Sequence, residues 1–66
     1  MRLKQIRNDK GLSIRALSEL SGVPQRTIED LERRNDGRFS TFMRLASALN
    51  VSLDEIAKGE TEENNK

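Results

Sequence analysis

Ile14–Arg33 reads IRALSELSGVPQRTIEDLER, and this stretch decides the fold. Leu17 supplies an apolar anchor, Ser18 a small side chain where two backbones can approach closely, and Gly22 a residue that tolerates positive φ at a turn. Val23, Ile28 and Leu31 then lay an apolar stripe along a second helix. The layout is two short helices crossing at a tight turn, a helix-turn-helix, and few other short patterns demand so many residue types at fixed offsets. In such a unit the second helix is the one that lies in a DNA major groove.

Outward from this stretch, periodicity and stop signals predict an all-α, five-helix bundle. The first helix runs from about Arg2 to Asp9 with Leu3 and Ile6 on one stripe, and Lys10-Gly11 ends it. Ser13 is the N-cap of a second helix over Ile14 to Leu20, with Leu17 and Leu20 as its buried face and Ile14 exposed. Pro24 suits the first position of a third helix, which runs to about Arg33 with Ile28 and Leu31 inward and Glu32 on the inner edge. Arg34-Asn35-Asp36-Gly37-Arg38 is a loop by composition. A fourth helix follows from Phe39 or Ser40 to Leu49, with Phe42, Leu45, Ala46 and Leu49 on one face and Asn50 as a left-handed stop. Ser52 with Glu55 three residues later forms a capping box that opens a short fifth helix through Lys58, packing Leu53 and Ile56 and ending at Gly59.

Composition narrows the function classes. Sixty-six residues make one domain with a core close to the minimum that suffices, which favours short-range helical contacts. The chain has no Cys and no His, so it lacks disulfides, the usual zinc ligands and the usual general base. Its carboxylates, Lys and Arg are spread as helix surface, and neither an enzyme, a metal site nor a cofactor is expected. Nothing resembles a signal peptide or a membrane span, so the reading is cytoplasmic, with no membrane partner. The formal charge is only +1, from 12 Lys+Arg against 11 Asp+Glu. Residues 59–66, GETEENNK, carry three Glu and one Lys and read as a disordered acidic tail, leaving residues 1–58 as the binding domain with 11 basic and 8 acidic groups, or +3. So weak a field predicts modest affinity for DNA unless two copies act together.

Outward positions near the start of the third helix are the candidates for base contact: Gln25, Arg26, Thr27, Glu29 and Asp30. Gln25 can pair bidentately with adenine and Arg26 with guanine. On a lone helix the same residues would be an ordinary solvated face, and the helix-turn-helix context is what favours contact. Phosphate contacts are expected from Ser13 and Arg15 at the start of the second helix and from Arg33, Arg34 and Arg38 around the loop after the third.

Three stretches in order, LKQIRNDKGLS (3–13), LSELSGVPQRTIEDLE (17–32) and FMRLASALNVSLDEI (42–56), resemble the Cro/C1-type helix-turn-helix domain of phage repressors and related bacterial regulators. The resemblance spans Leu3 to Ile56 and implies a compact bundle of the lambda-repressor-like type. It implies an ion pair between Arg7 and Glu32, base reading at Gln25, Arg26 and Asp30, and a loop after the third helix that crosses the DNA backbone beside Ser40 and Thr41. It also implies a homodimer meeting near Asn50, Val51, Ser52 and Ile56. Two positions depart from the pattern. The family usually has Gln at the start of the second helix, where this chain has Ile14, so that phosphate contact cannot form. Asp30 is a carboxylate that phosphates repel and that gains only by accepting from a cytosine N4 amine.

The expected function is a sequence-specific DNA-binding transcriptional regulator, a repressor acting as a dimer on double-stranded DNA. The alternative is a protein-interaction module on the same fold, antitoxin-like or a regulatory subunit, which the weak charge and an exposed Ile14 would suit. No second domain is apparent to sense a ligand, so no small-molecule effector is expected in this chain.

Overall fold

The helices end where backbone chemistry tells them to. The computed structural model, which describes residues 1–34 and 37–57, has α1 at Leu3–Asp9, α2 at Ile14–Ser21, α3 at Gln25–Arg34, α4 at Phe39–Leu49 and α5 at residues 53–57. Ser13 caps α2, its Oγ accepting from the Ala16 N–H at 3.0 Å. Gly22 closes α2 in the left-handed region at φ 76°, its N–H donating to the Ser18 carbonyl at 2.9 Å. The Pro24 carbonyl accepts from the Ile28 N–H at 3.1 Å, so proline stands just outside α3 rather than in its first turn. Asn50, at φ 59°, ends α4, and the Val51 N–H returns to the Ala46 carbonyl at 3.0 Å. Ser52 Oγ accepts from the Glu55 N–H at 3.1 Å, which is half of the capping box. The other half does not form, because the Glu55 carboxylate faces Arg2 at 3.5 Å.

That contact belongs to a closure between the two ends of the described chain. The Arg2 N–H donates to the Ile56 carbonyl at 2.7 Å, holding the entry to α1 against α5. Between them lies a wholly aliphatic core: Leu3, Ile6, Leu17, Val23, Ile28, Leu31, Leu45, Ala46, Leu49 and Ile56. At about 1.5–3 kcal/mol for each fully buried large side chain, these residues dominate the favourable side of folding. The second helix, α2, packs against both α3 and α4 and so sets the angle at which α3 is held.

The rotation of α2 corrects two sequence-based expectations together. Leu20 is 61% exposed, whereas Ile14 is half-buried and packs against the core. Both stand three residues from Leu17, on opposite flanks of it at about 60° each. The core takes the Ile14 side, together with Ser18 and Ser21, so Leu20 faces outward. Of the remaining expectations, Asn35 and Asp36 in the loop, the end of the fifth helix at Lys58, the Gly59 stop and the acidic tail 59–66 lie outside the described residues.

Gly37 is demanded by a close approach. A Cβ there would overlap the Leu31 Cδ2 and come within 3.5 Å of the Phe42 ring, so the chain after α3 passes directly over the core. Gly37→Ala is expected to destabilise the domain by about 1–3 kcal/mol, as overpacking of a filled site does. Thermal melts check this, at roughly 4–8 °C of lost Tm per kcal/mol for a domain of this size.

Candidate nucleic-acid interface

The third helix has one locked face and one open face. Ile28 and Leu31 are fully buried, and Glu32, beside them, reaches α1. The Arg7 guanidinium grips the Glu32 carboxylate at two points, Nε to Oε2 at 2.7 Å and Nη2 to Oε1 at 3.1 Å. Its remaining nitrogen, Nη1, donates to the Leu12 carbonyl at 2.8 Å. One side chain thereby fastens α1, the connection into α2 and the last turn of α3. Both partners are less than one-tenth exposed, and no buried side-chain polar atom among the described residues lacks a partner. The Glu32 hydrogen bonds raise the affinity of Arg7 for its proton, burial opposes this, and the carboxylate charge adds to the rise. A raised pKa on a cation means stability that is complete below the unfolded value and lost only as pH climbs through the folded one. For arginine that window lies at extreme alkali, so the pair holds throughout ordinary pH.

At the other end of α3 the turn is fixed by a hydroxyl. Ser21 donates to the Leu17 carbonyl at 2.7 Å and accepts from the Val23 N–H at 3.2 Å. With Gly22 it sets how the chain enters α3. The sequence signal was the Ser-Gly pair, a common turn dipeptide, whose hydroxyl role depends on the helix ending there.

The open face carries the candidate base readers. Gln25 and Arg26 are exposed, with no side-chain hydrogen bond or ion pair among the described residues, so their donors are available. Glu29 is exposed, while Thr27 and Asp30 are half-buried. Asp30 is not a lone carboxylate: Arg33 stands 3.9 Å from it, one turn along. Similarly Arg15 meets Glu19 at 3.5 Å on the surface of α2. Such exposed pairs contribute about 0.3–0.5 kcal/mol and break readily when a stronger anion arrives. Ile14, Lys4, Glu29, Glu32 and Arg33 line one shallow cleft where α1, α2 and α3 meet.

The candidate phosphate contacts divide by environment. Ser13 has its hydroxyl occupied as an acceptor in the cap, with its own proton still free to donate. Arg34, Arg38 and Ser40 are exposed and Thr41 is half-buried. Arg38 is the extended residue before α4, whose first turn has no side-chain cap, leaving backbone N–H groups open beside Arg38 and Ser40. Among the described residues no cluster of acidic side chains could hold a metal ion, and no helix is long and apolar enough to cross a membrane.

A Helix-turn-helix family model matches residues 3–56, which is most of the chain and includes all five helices' core residues. The chain belongs to that family, the Cro/C1-type helix-turn-helix domains, and is a DNA-binding regulatory domain in general character. No curated protein and no solved structure matches it.

Removal of either partner of the Arg7–Glu32 pair leaves a buried charge alone. Arg7→Ala and Glu32→Ala are each expected to cost on the order of 3 kcal/mol, with the double variant losing less than the sum. Denaturant unfolding of the four proteins measures both quantities. Single variants that melt with the parent would mean that the pair is not what holds α3.

Proposed function

We propose that this domain is a sequence-specific transcriptional regulator, a repressor, that inserts the start of α3 into the major groove and acts as a dimer on a two-fold related site in double-stranded DNA. The observation that carries the reading is the pairing of an immobilised inner face, Ile28, Leu31 and Glu32, with unpartnered Gln25 and Arg26 on the outer one. A reader needs donors held in register without internal partners that must first be broken. In this reading Arg26 pairs with guanine and Gln25 with adenine, with Thr27 and Glu29 beside them. Asp30 accepts from a cytosine N4 amine.

Phosphate contacts come from Ser13 and Arg15 at α2, from Arg33 and Arg34 at the end of α3, and from Arg38, Ser40 and Thr41 at the start of α4. The contribution of Arg15 and Arg33 requires that they exchange Glu19 and Asp30 for phosphate, which weak surface pairs allow. With a formal charge of +1 on the chain, a single domain binds DNA modestly, and two copies on adjacent half-sites supply the rest. The reading is a cytoplasmic protein without cofactor or small-molecule effector.

An interaction module is the competing reading. Ile14 is half-buried, whereas Leu20 and Met43 are exposed and line one shallow cleft with Arg44. Selection of a binding site from random-sequence duplexes at two salt concentrations separates the two: recovery of a two-fold site supports the regulator, and salt-insensitive failure to bind supports the module.

On the selected site, Arg26→Ala is expected to relax preference at one base pair in each half-site by about 1–3 kcal/mol. Arg38→Ala should weaken all sequences alike and flatten the salt dependence by roughly one unit per bound subunit. Asp30→Asn should strengthen binding to unselected DNA and erase any preference for cytosine at its contact. If Arg26→Ala and Asp30→Asn both bind like the parent, α3 is not the reading element.

A further inference from the structure

Leu20 and Met43 are large apolar side chains left 61% and 50% exposed. Although they belong to different helices, they line one shallow cleft between the end of α2 and the middle of α4, together with Ser21, Arg44, Ser47 and Ala48. The serines and the alanine are short, so the cleft has a low floor beside two apolar projections, a form that receives one face of a helix. Apolar side chains gathered in this way mark a contact surface, whereas the same residues scattered singly would need no explanation. Met, being unbranched, adapts its shape to what it meets.

Charge identifies what the cleft takes. Arg44 is the one ionised side chain in its lining, exposed and without a hydrogen bond or ion pair among the described residues. Its guanidinium lies over the turn after α2, with Nη1 3.9 Å from the place that a Cβ on Gly22 would occupy. The negative end of α2 favours that position, yet it amounts to only about half a charge and leaves the five N–H donors unspent. Glu19, next to Leu20 in the chain, faces Arg15 at 3.5 Å instead. A cation with free donors beside two apolar side chains is complementary to a carboxylate carried on an apolar surface. DNA would satisfy Arg44 but set Leu20 and Met43 against hydrated phosphates. We infer that this cleft binds an acidic amphipathic helix of a partner protein, with a Glu or Asp on Arg44 and apolar residues one turn apart on Leu20 and Met43.

No residue of α3 lines the cleft, and the proposed phosphate contacts lie at the starts of α2 and α4 rather than here. Partner and DNA can therefore be held at the same time. The inference goes beyond the regulator reading and does not rest on it. So small a surface makes a weak, exchanging contact rather than a permanent complex.

The experiment selects peptides of about 15 residues, or four turns of helix, from a random-sequence library on the full chain without DNA. Leu20→Gln and Arg44→Glu, both at exposed positions, are run beside the parent after their thermal melts are compared; Leu20→Gln alone decides if Arg44→Glu melts early. Peptides kept by the parent are expected to combine Glu or Asp with apolar residues three or four apart and to bind each variant about tenfold or more weakly. Selection on Arg44→Glu should return Lys or Arg in place of the acidic residues. Amide shifts of the parent on adding a selected peptide should cluster at Leu20, Ser21, Met43 and Ser47. Selected peptides without acidic residues, no peptide that Leu20→Gln fails to hold, or shifts centred on Phe39 and Leu53 overturn the inference. Shifts at the cleft that grow with protein concentration alone assign it to a second copy and overturn it too. A mixed-sequence duplex is then added. Displacement of the peptide with shifts at Leu20 and Met43 assigns the cleft to DNA and overturns the inference, whereas a duplex that does not bind defeats the regulator reading and leaves the peptide result standing.

Discussion

Arg7 is the one side chain on which the positions of three segments converge. Its guanidinium binds the carboxylate of Glu32 at two points and the carbonyl of Leu12 at a third, and burial forbids any of these from being exchanged for water at low cost. The hydrophobic core sets the general proximity of α1 and α3, but apolar contacts are non-directional and tolerate small rotations of one helix on another. A planar fork meeting a carboxylate does not. The buried pair is better understood as fixing a register than as a net source of stability, since an apolar replacement of both partners could hold the fold equally well.

That register is what gives the outer face of α3 a direction. Eight or so residues of helix carry opposite demands: Ile28, Leu31 and Glu32 must point inward, while Gln25 and Arg26 keep their donors unspent. Ser21 and Gly22 fix the entry to the helix and the Arg7–Glu32 pair fixes its last turn, so the helix is held at both ends. The surface charges near it are arranged loosely, with Asp30 and Glu19 each beside an arginine at a distance that a phosphate could contest. In the proposed reading, a formal charge of only +1 limits non-specific attraction and leaves discrimination to contacts with bases.

Much of the architecture was legible in local chemistry. Gly22 and Asn50 take left-handed φ at the two helix ends where the pattern demanded a stop, and Ser13 and Ser52 cap the helices that follow them. What was not legible is what depends on tertiary choice. Ile14 and Leu20 flank Leu17 symmetrically on α2, and only the packing of α3 and α4 decides which flank is covered. The Glu55 side chain had a local partner available in its own capping box and took a distant one, Arg2, because the chain ends close on each other. The roles of Ser21 and the Leu12 carbonyl required knowing where a helix stops and where a guanidinium arrives. On the candidate interface, residue types and faces were readable, whereas the pairing of Asp30 with Arg33 follows from their actual separation.

The most direct measurement is an amide chemical-shift titration of the full chain with a mixed-sequence DNA duplex at low and high salt. The expected result is shifts concentrated at Ser13–Ala16, Gln25–Glu29 and Arg38–Thr41, weakening steeply as salt rises. Shifts centred on Leu20 and Met43, or none at either salt concentration, would contradict a DNA-reading role for the outer face of α3.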